Sequence, residues 1–154
     1  VLYDPNDPEG QRAPESGAME IASKYIVDNA VVAKKYGVDL YAYEGGQHLA
    51  GVGAQLNNEG LTNLLVAANR DPRMYDLYAQ YLRSWRENGG SLFCHFLTVG
   101  AYGRYGSWGT KEHQSQTDAP KFKALLDFLM QYPCWWPGCA PPDAKLQLPA
   151  PIPF

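Results

Sequence analysis

The sequence predicts an α/β fold in which parallel strands are covered by helices. Two short apolar runs, VDLYAYE at 38–44 and SLFCHFLTV at 91–99, read as buried strands. Segments with i, i+3, i+4 apolar spacing precede, separate and follow them, giving the order helix, strand, loop, helices, strand, loop, helix. Strands that alternate with helices run parallel and need helices on at least one face. In such folds ligands sit at the C-terminal ends of the strands.

The elements follow in chain order. Residues 1–15, VLYDPNDPEGQRAPE, are rich in Pro, Gly and Asp and read as a loop or linker. Ser16 is a suitable N-cap for a first helix, in which Ala18, Ile21, Ala22, Tyr25, Val32, Ala33 and Tyr36 share one face with Asn29, and Gly37 stops it. The first strand ends at Glu44, and 45–58 form a long Gly-rich loop. Leu61 to Ala68 are helical, with Glu59 placed to complement the helix dipole. A further helix starts near Asp71, with Pro72 at its first position, and carries Met74, Leu77, Tyr78, Tyr81, Leu82 and Trp85 at helical spacing up to the breaker NGG. A second long loop, GAYGRYGSWGTKEHQSQTDAP, follows the second strand. Phe122, Leu125, Leu126 and Leu129 mark the last helix. The segment 133–154 holds seven of the twelve prolines and reads as an extended strap.

Composition narrows the function. Hydrophobic residues make up 45% and charged residues 19%, which is a globular balance. A net charge of −3 without a basic run disfavours nucleic acid and anionic membrane surfaces. No apolar stretch approaches the roughly 20 residues of a membrane helix. The glycines match neither GxGxxG nor a P-loop, so no nucleotide is implied. Ser91 and Ser107 lack a nucleophile-elbow context. His48, His95 and His113 have no i, i+4 pair and the three cysteines do not complete a zinc set, so neither metal nor cofactor is expected. The 11 Tyr and 4 Trp supply core, and on a surface such rings also stack on sugar C–H groups. Cys134 and Cys139 bracket CWWPGC, where Pro137 and Gly138 can turn the chain until the sulfurs meet; whether they pair depends on compartment and geometry. Cys94, inside an apolar run, is expected to be a buried free thiol. A chain that starts at Val1, without Met or a signal-like segment, is expected to be processed or part of a longer polypeptide.

The stretches YAYEGGQHL, NRDPRMYDLYAQYLRSWRENGGSLFCHF, and YGSWGTKEH before PKFKALLDFL together resemble the C-terminal portion of the TIM-barrel glycoside hydrolases of clan A. The likeness is to the cellulase-like and cellulose-binding-protein group of bacterial secreted proteins, and it covers about residues 16–131. It implies that 16–132 are the last units of a (β/α) barrel, a partial TIM-barrel-like segment, with a secreted location and a β-linked polysaccharide as the carbohydrate partner. It also implies that Glu44 corresponds to the nucleophile at the end of strand seven and Trp108 to the aromatic platform after strand eight. A whole barrel needs eight βα units and about 250 residues. Another chain, an upstream segment or self-association would therefore supply the missing strands.

Hydrolysis with retention needs two carboxyl groups about 5–5.5 Å apart, one as nucleophile and one as acid/base. Glu44 suits the first role; its alternative is a carboxylate hydrogen-bonded at a strand end. Gly45 and Gly46 would let the chain turn away without covering it. Asp39, Glu59 and Glu112 are the nearby acids in sequence, and none has the Asn-Glu strand-end context of the clan's acid/base, which would precede Val1. Tyr43, Gln47, His48 and Tyr105 are further sugar contacts, against an alternative of loops fixed by their own polar groups. Trp108, between Gly106-Ser107 and Gly109, is an accessible ring or a packed loop anchor. His95 is either a satisfied core histidine or aimed into a barrel interior. Trp85 is core, and Trp135 and Trp136 anchor the cysteine loop. A noncatalytic carbohydrate-binding or structural protein with a degenerate site is the competing reading.

Overall fold

A computed structural model describes residues 17–136 and 139. The loop expected over 1–15, the Ser16 cap, the Pro137-Gly138 turn and most of the 133–154 strap lie outside the described residues. The elements are α1 (Ala18–Tyr36), β1 (Leu40–Gly45), a 3-10 turn (Gly53–Asn57), α2 (Glu59–Arg70), α3 (Met74–Glu87), β2 (Gly90–His95) and α4 (Pro120–Gln131). The two strands pair in parallel, so the fold is mixed α/β with the expected order of elements.

Local chemistry explains the boundaries. Gly37 ends α1 in the left-handed region at φ 65°, and the Gly37 and Val38 N–H groups close on Lys34 O and Ala33 O. Asn58 Oδ1 accepts the Leu61 N–H at 3.0 Å and caps α2, whose first turn holds Glu59. Asp71 organises the turn into α3 rather than capping it directly. Its Oδ1 accepts the Arg73 N–H at 2.9 Å, and the Arg73 guanidinium holds the carboxyl down at about 2. Pro120 sits in the first turn of α4, where it lacks only a donor that the helix would leave free.

The core gathers on α3. Met74, Tyr78, Leu82 and Trp85 are buried at i, i+4, i+8 and i+11, as the periodicity predicts. Trp85 and Tyr81 meet the Phe93 ring edge-on, each at 5.6 Å, and Tyr78 meets His95 at 5.4 Å. Phe93 and His95 therefore lie on the helix-covered face of the sheet. Trp135 donates from Nε1 to Gly90 O at 3.0 Å and packs on Phe128, which anchors the end of α4 to the start of β2. Cys134 and Cys139 form a disulfide, with Cα atoms 5.7 Å apart.

Four expectations need correction. The buried strip of α1 is Ile26, flanked by half-buried Ala22, Ser23, Ala30 and Ala33, while Tyr25, Val32 and Tyr36 face outward. In α4 the buried residues are Lys121, Ala124 and Phe128, while Leu126 and Leu129 face outward. Both helices are turned about one residue from the expected face. The free thiol of Cys94 is exposed rather than buried. It shares the uncovered face of the sheet with Leu92 and Phe96, alternate to Phe93 and His95. The second strand also stops at His95, and the chain beyond it closes on itself through Leu97 N–H to Trp108 O, Thr110 N–H to Leu97 O and Lys111 N–H to Thr98 O.

Leu82, 2% exposed at the centre of α3, gives the test of this core. Leu82→Ala is expected to cost about 2–5 kcal/mol in urea unfolding. A loss below about 1 kcal/mol would place the core elsewhere. Alkylation of the native chain without reductant is expected to label Cys94 alone; labelling of all three cysteines would remove the disulfide.

Candidate functional site

The site begins with two register shifts. Leu40 pairs with Gly90, Ala42 with Phe93 and Gly45 with His95, so β2 holds an extra residue in the first interval and β1 holds one in the second. The extra residue in β1 is a bulge, which breaks the alternation of side chains. Tyr43 and Glu44 are consequently both exposed at the C-terminal end of β1, Tyr43 at 85%. Without the bulge, Glu44 would follow Leu40 and Ala42 onto the helix-covered face.

The two glycines that follow have a packing role beyond leaving the acid uncovered. A Cβ on Gly45 would come within 2.2 Å of the Phe93 ring. Gly46 has φ 141° and lies against His95 Nε2 and Tyr78 Oη. The chain can thus pass over the core residues of α3 and β2 and deliver Gln47 and His48 to the loop after β2.

Gln47 bridges the two strand-end loops. Its Oε1 accepts the Leu49 N–H at 2.6 Å, and its Nε2 donates to Ser107 O at 2.8 Å. The same carbonyl accepts from Lys121 Nζ at 2.6 Å. Lys121 is 0% exposed, donates also to Asn69 Oδ1 at 2.9 Å, and lies 4.5 Å from the centre of the Tyr102 ring. Burial pulls its ammonium down to about 7, partly opposed by Glu112. His95 Nε2 stands 3.1 Å from Tyr78 Oη, and burial together with the Lys121 charge pulls the imidazole down to about 4. Burial raises the Tyr78 phenol, and it pushes Tyr102 up to about 12. His95 is thus a core histidine facing the helices.

Above this buried layer lies the rim. Trp108 meets His48 edge-on at 4.7 Å and donates from Nε1 to Tyr105 O at 3.0 Å. Gly106, at φ 122°, is needed because a Cβ there would enter the Trp108 ring. The flanking glycine thus seats the half-buried ring as well as giving access to it. Arg104 donates to Asn57 Oδ1 at 3.2 Å and to Tyr105 Oη at 2.7 Å, joining the two loops a second time. It borders a polar cleft of about 540 Å³, with Asn57, Glu59, Thr62 and Asn63. On the other side, Gln47 and His48 border a groove of about 610 Å³ whose remaining walls, including Leu49, Met74 and Leu77, are mainly apolar.

Of the residues singled out in the sequence, Gln47, His48, Tyr105 and Trp108 come together. Glu44 and Tyr43 are exposed at the end of β1, and no hydrogen bond joins them to this group among the described residues. Asp39 is at the opposite end of β1, Glu59 heads α2, and Glu112 receives a two-pronged contact from Arg70 at 2.9 and 2.5 Å. No group of three His, Cys, Asp or Glu residues among the described residues is arranged to hold a metal ion. Lys121 and Asn69 were not anticipated, and Tyr102, a lesser candidate from sequence for a sugar-facing ring, instead lies half-buried against the Lys121 amine. The available signal was a lysine at i relative to Ala124 and Phe128, on a face too apolar for solvent. The chain matches no family model, and no curated protein or solved structure matches it.

The buried bases give a pH signature. Lys121 and His95 both have folded values below their ordinary 10.5 and 6.5. The folded chain therefore binds fewer protons than the unfolded chain between each pair of values, and stability climbs as pH rises through them. Urea midpoints are expected to rise from pH 4 to 6.5 through His95 and again from about 7 toward 10 through Lys121. Above pH 10 the raised phenols of Tyr78 and Tyr102 act in the opposite direction. Lys121→Met should flatten the upper rise and shrink the lower one, because the Lys121 charge contributes to the His95 shift; a wild-type curve flat between pH 7 and 9.5 would contradict the assignment.

Proposed function

We propose that the strand ends form part of a carbohydrate site, in a glycoside hydrolase acting on a β-linked polysaccharide by a retaining two-carboxylate mechanism. The observation that carries this reading is Glu44, an exposed carboxylate at the C-terminal end of a parallel strand, from which the chain runs through Gly45 and Gly46 into the rim of Gln47, His48, Trp108 and Tyr105. Ligands bind parallel α/β sheets at this end. The sequence resemblance gives Glu44 the role of nucleophile.

In this mechanism Glu44 attacks the anomeric carbon and forms a glycosyl ester while a second carboxyl group protonates the leaving oxygen. The same group then takes a proton from the water that releases the sugar. The Trp108 face and the exposed Tyr105 ring stack on sugar C–H surfaces, and Gln47, His48 and Arg104 offer partners for hydroxyls. Among the described residues Asp39, Glu59 and Glu112 are placed or paired for other purposes, and in this reading the acid/base is supplied from outside this chain.

A completing partner, whether another chain, an upstream segment or a second copy, also fits the uncovered apolar surface. Tyr41, Tyr43, Leu92 and Phe96 line the open sheet face, Tyr25, Val32 and Tyr36 line α1, and Leu126, Leu129 and Met130 line α4. Surfaces of this kind mark contact sites. No helix among the described residues is long and apolar enough to cross a membrane, and the Cys134–Cys139 disulfide is compatible with a secreted location. The pairing of Glu112 with Arg70 favours the second reading, a noncatalytic carbohydrate-binding protein, if no partner supplies an acid.

Binding and turnover separate the two readings. Trp108→Ala is expected to weaken binding of a soluble mixed-linkage β-glucan by about tenfold or more, corresponding to roughly 1.4 kcal/mol, with an unchanged far-ultraviolet circular dichroism spectrum. An unaltered isotherm would return Trp108 to loop packing. The chain alone should show little turnover of aryl glycosides and glucans. In an assembly with its partner, Glu44→Gln should reduce turnover by several orders of magnitude; full activity in that variant would exclude Glu44 as nucleophile.

A further inference from the structure

Lys121 is the least accessible charged side chain among the described residues, and no carboxylate pairs with it there. An isolated buried amine is costly, so its hydrogen bonds must be satisfied. Two acceptors face it, Asn69 Oδ1 from α2 and Ser107 O from the loop after β2. The second acceptor is shared with Gln47 from the loop after β1. A carbonyl oxygen has two lone pairs, and here each is taken by a different side chain. The next residue after this carbonyl is Trp108, whose ring touches His48, the residue after Gln47.

We propose that Lys121 is a positioning residue for the rim: with Gln47 it clamps the Ser107 carbonyl from below, and so fixes Trp108 against His48. The inference rests on the carbohydrate reading only for what the rim binds. Lys121 is sealed beneath the surface and acts through Ser107 and Trp108, without touching a ligand. The clamp joins α4 and both strand-end loops at the Ser107 oxygen, and the bond from Lys121 to Asn69 adds α2. A side chain filling space alone would be replaced by methionine, of similar length, without moving the rim.

The test compares wild type with Lys121→Met by amide hydrogen exchange and by the His48 imidazole proton resonances, which sense the Trp108 ring current. Exchange at Gly106 and Thr110 is expected to accelerate about tenfold or more, with α3 amides unchanged, and the His48 resonances should lose their ring-current shift. Binding of the mixed-linkage β-glucan should weaken about tenfold. A folded Lys121→Met protein with wild-type exchange at Gly106 and Thr110 and unmoved His48 resonances would overturn the proposal. Should wild type fail to bind the glucan, the carbohydrate reading fails, while the exchange and resonance arms still decide the clamp. Should Lys121→Met not fold, Gln47→Met removes the other donor from a half-buried position. It is expected to move the same probes in the same direction, and unchanged probes there would overturn the proposal as well.

Discussion

The Ser107 carbonyl is the atom on which the candidate site depends. It accepts from Lys121 and from Gln47, and through them it ties α4, the loop after β1 and, by way of Asn69, α2. A buried amine without partners would cost several kcal/mol, so this position must be organised for the fold to tolerate it. That requirement explains the orientation of α4. Turning Lys121 inward brings Ala124 and Phe128 with it and leaves Leu126 and Leu129 outside.

The second constraint lies in the sheet. Two strands cannot bury both of their faces. Helices cover the side of Phe93 and His95, and the side of Tyr41, Tyr43 and Cys94 remains open. The bulge before Gly45 decides on which of these sides Glu44 falls. One inserted residue therefore separates a carboxylate that faces a prospective ligand from one buried against apolar helices, where its charge would be unfavourable. The glycines next to it serve the same geometry from beneath, by letting Phe93 and His95 approach the backbone.

Much of this was legible in the sequence. The strands, α2 and α3 follow from apolar runs and periodicity, because their side chains have one place to go. Gln47, His48, Tyr105 and Trp108 were recognisable from two glycine-rich loops at parallel strand ends, and the structure brings these four together. The facing of α1 and α4 was not legible. Both carry apolar side chains over more than one face, and only contact with neighbours selects the strip that is buried. Lys121 escaped notice because a charged residue reads as solvated, and its acceptors, an Asn side chain and a backbone carbonyl, lie 52 and 14 positions away. Cys94 was placed inside because its strand is apolar on both faces, although only one is covered.

The clamp also bears on how such a site is inherited. It grips a main-chain oxygen, and every amino acid brings one. The Ser107 hydroxyl is buried without a hydrogen-bond partner among the described residues, so it adds nothing to the grip. Small residues such as alanine can therefore replace Ser107 in divergent copies of this chain while the geometry persists. The substitutions that selection must notice fall instead at Lys121 and Gln47, which meet at that oxygen, and at Asn69, which accepts from Lys121. Related chains that keep this rim should change those three together or leave all of them alone.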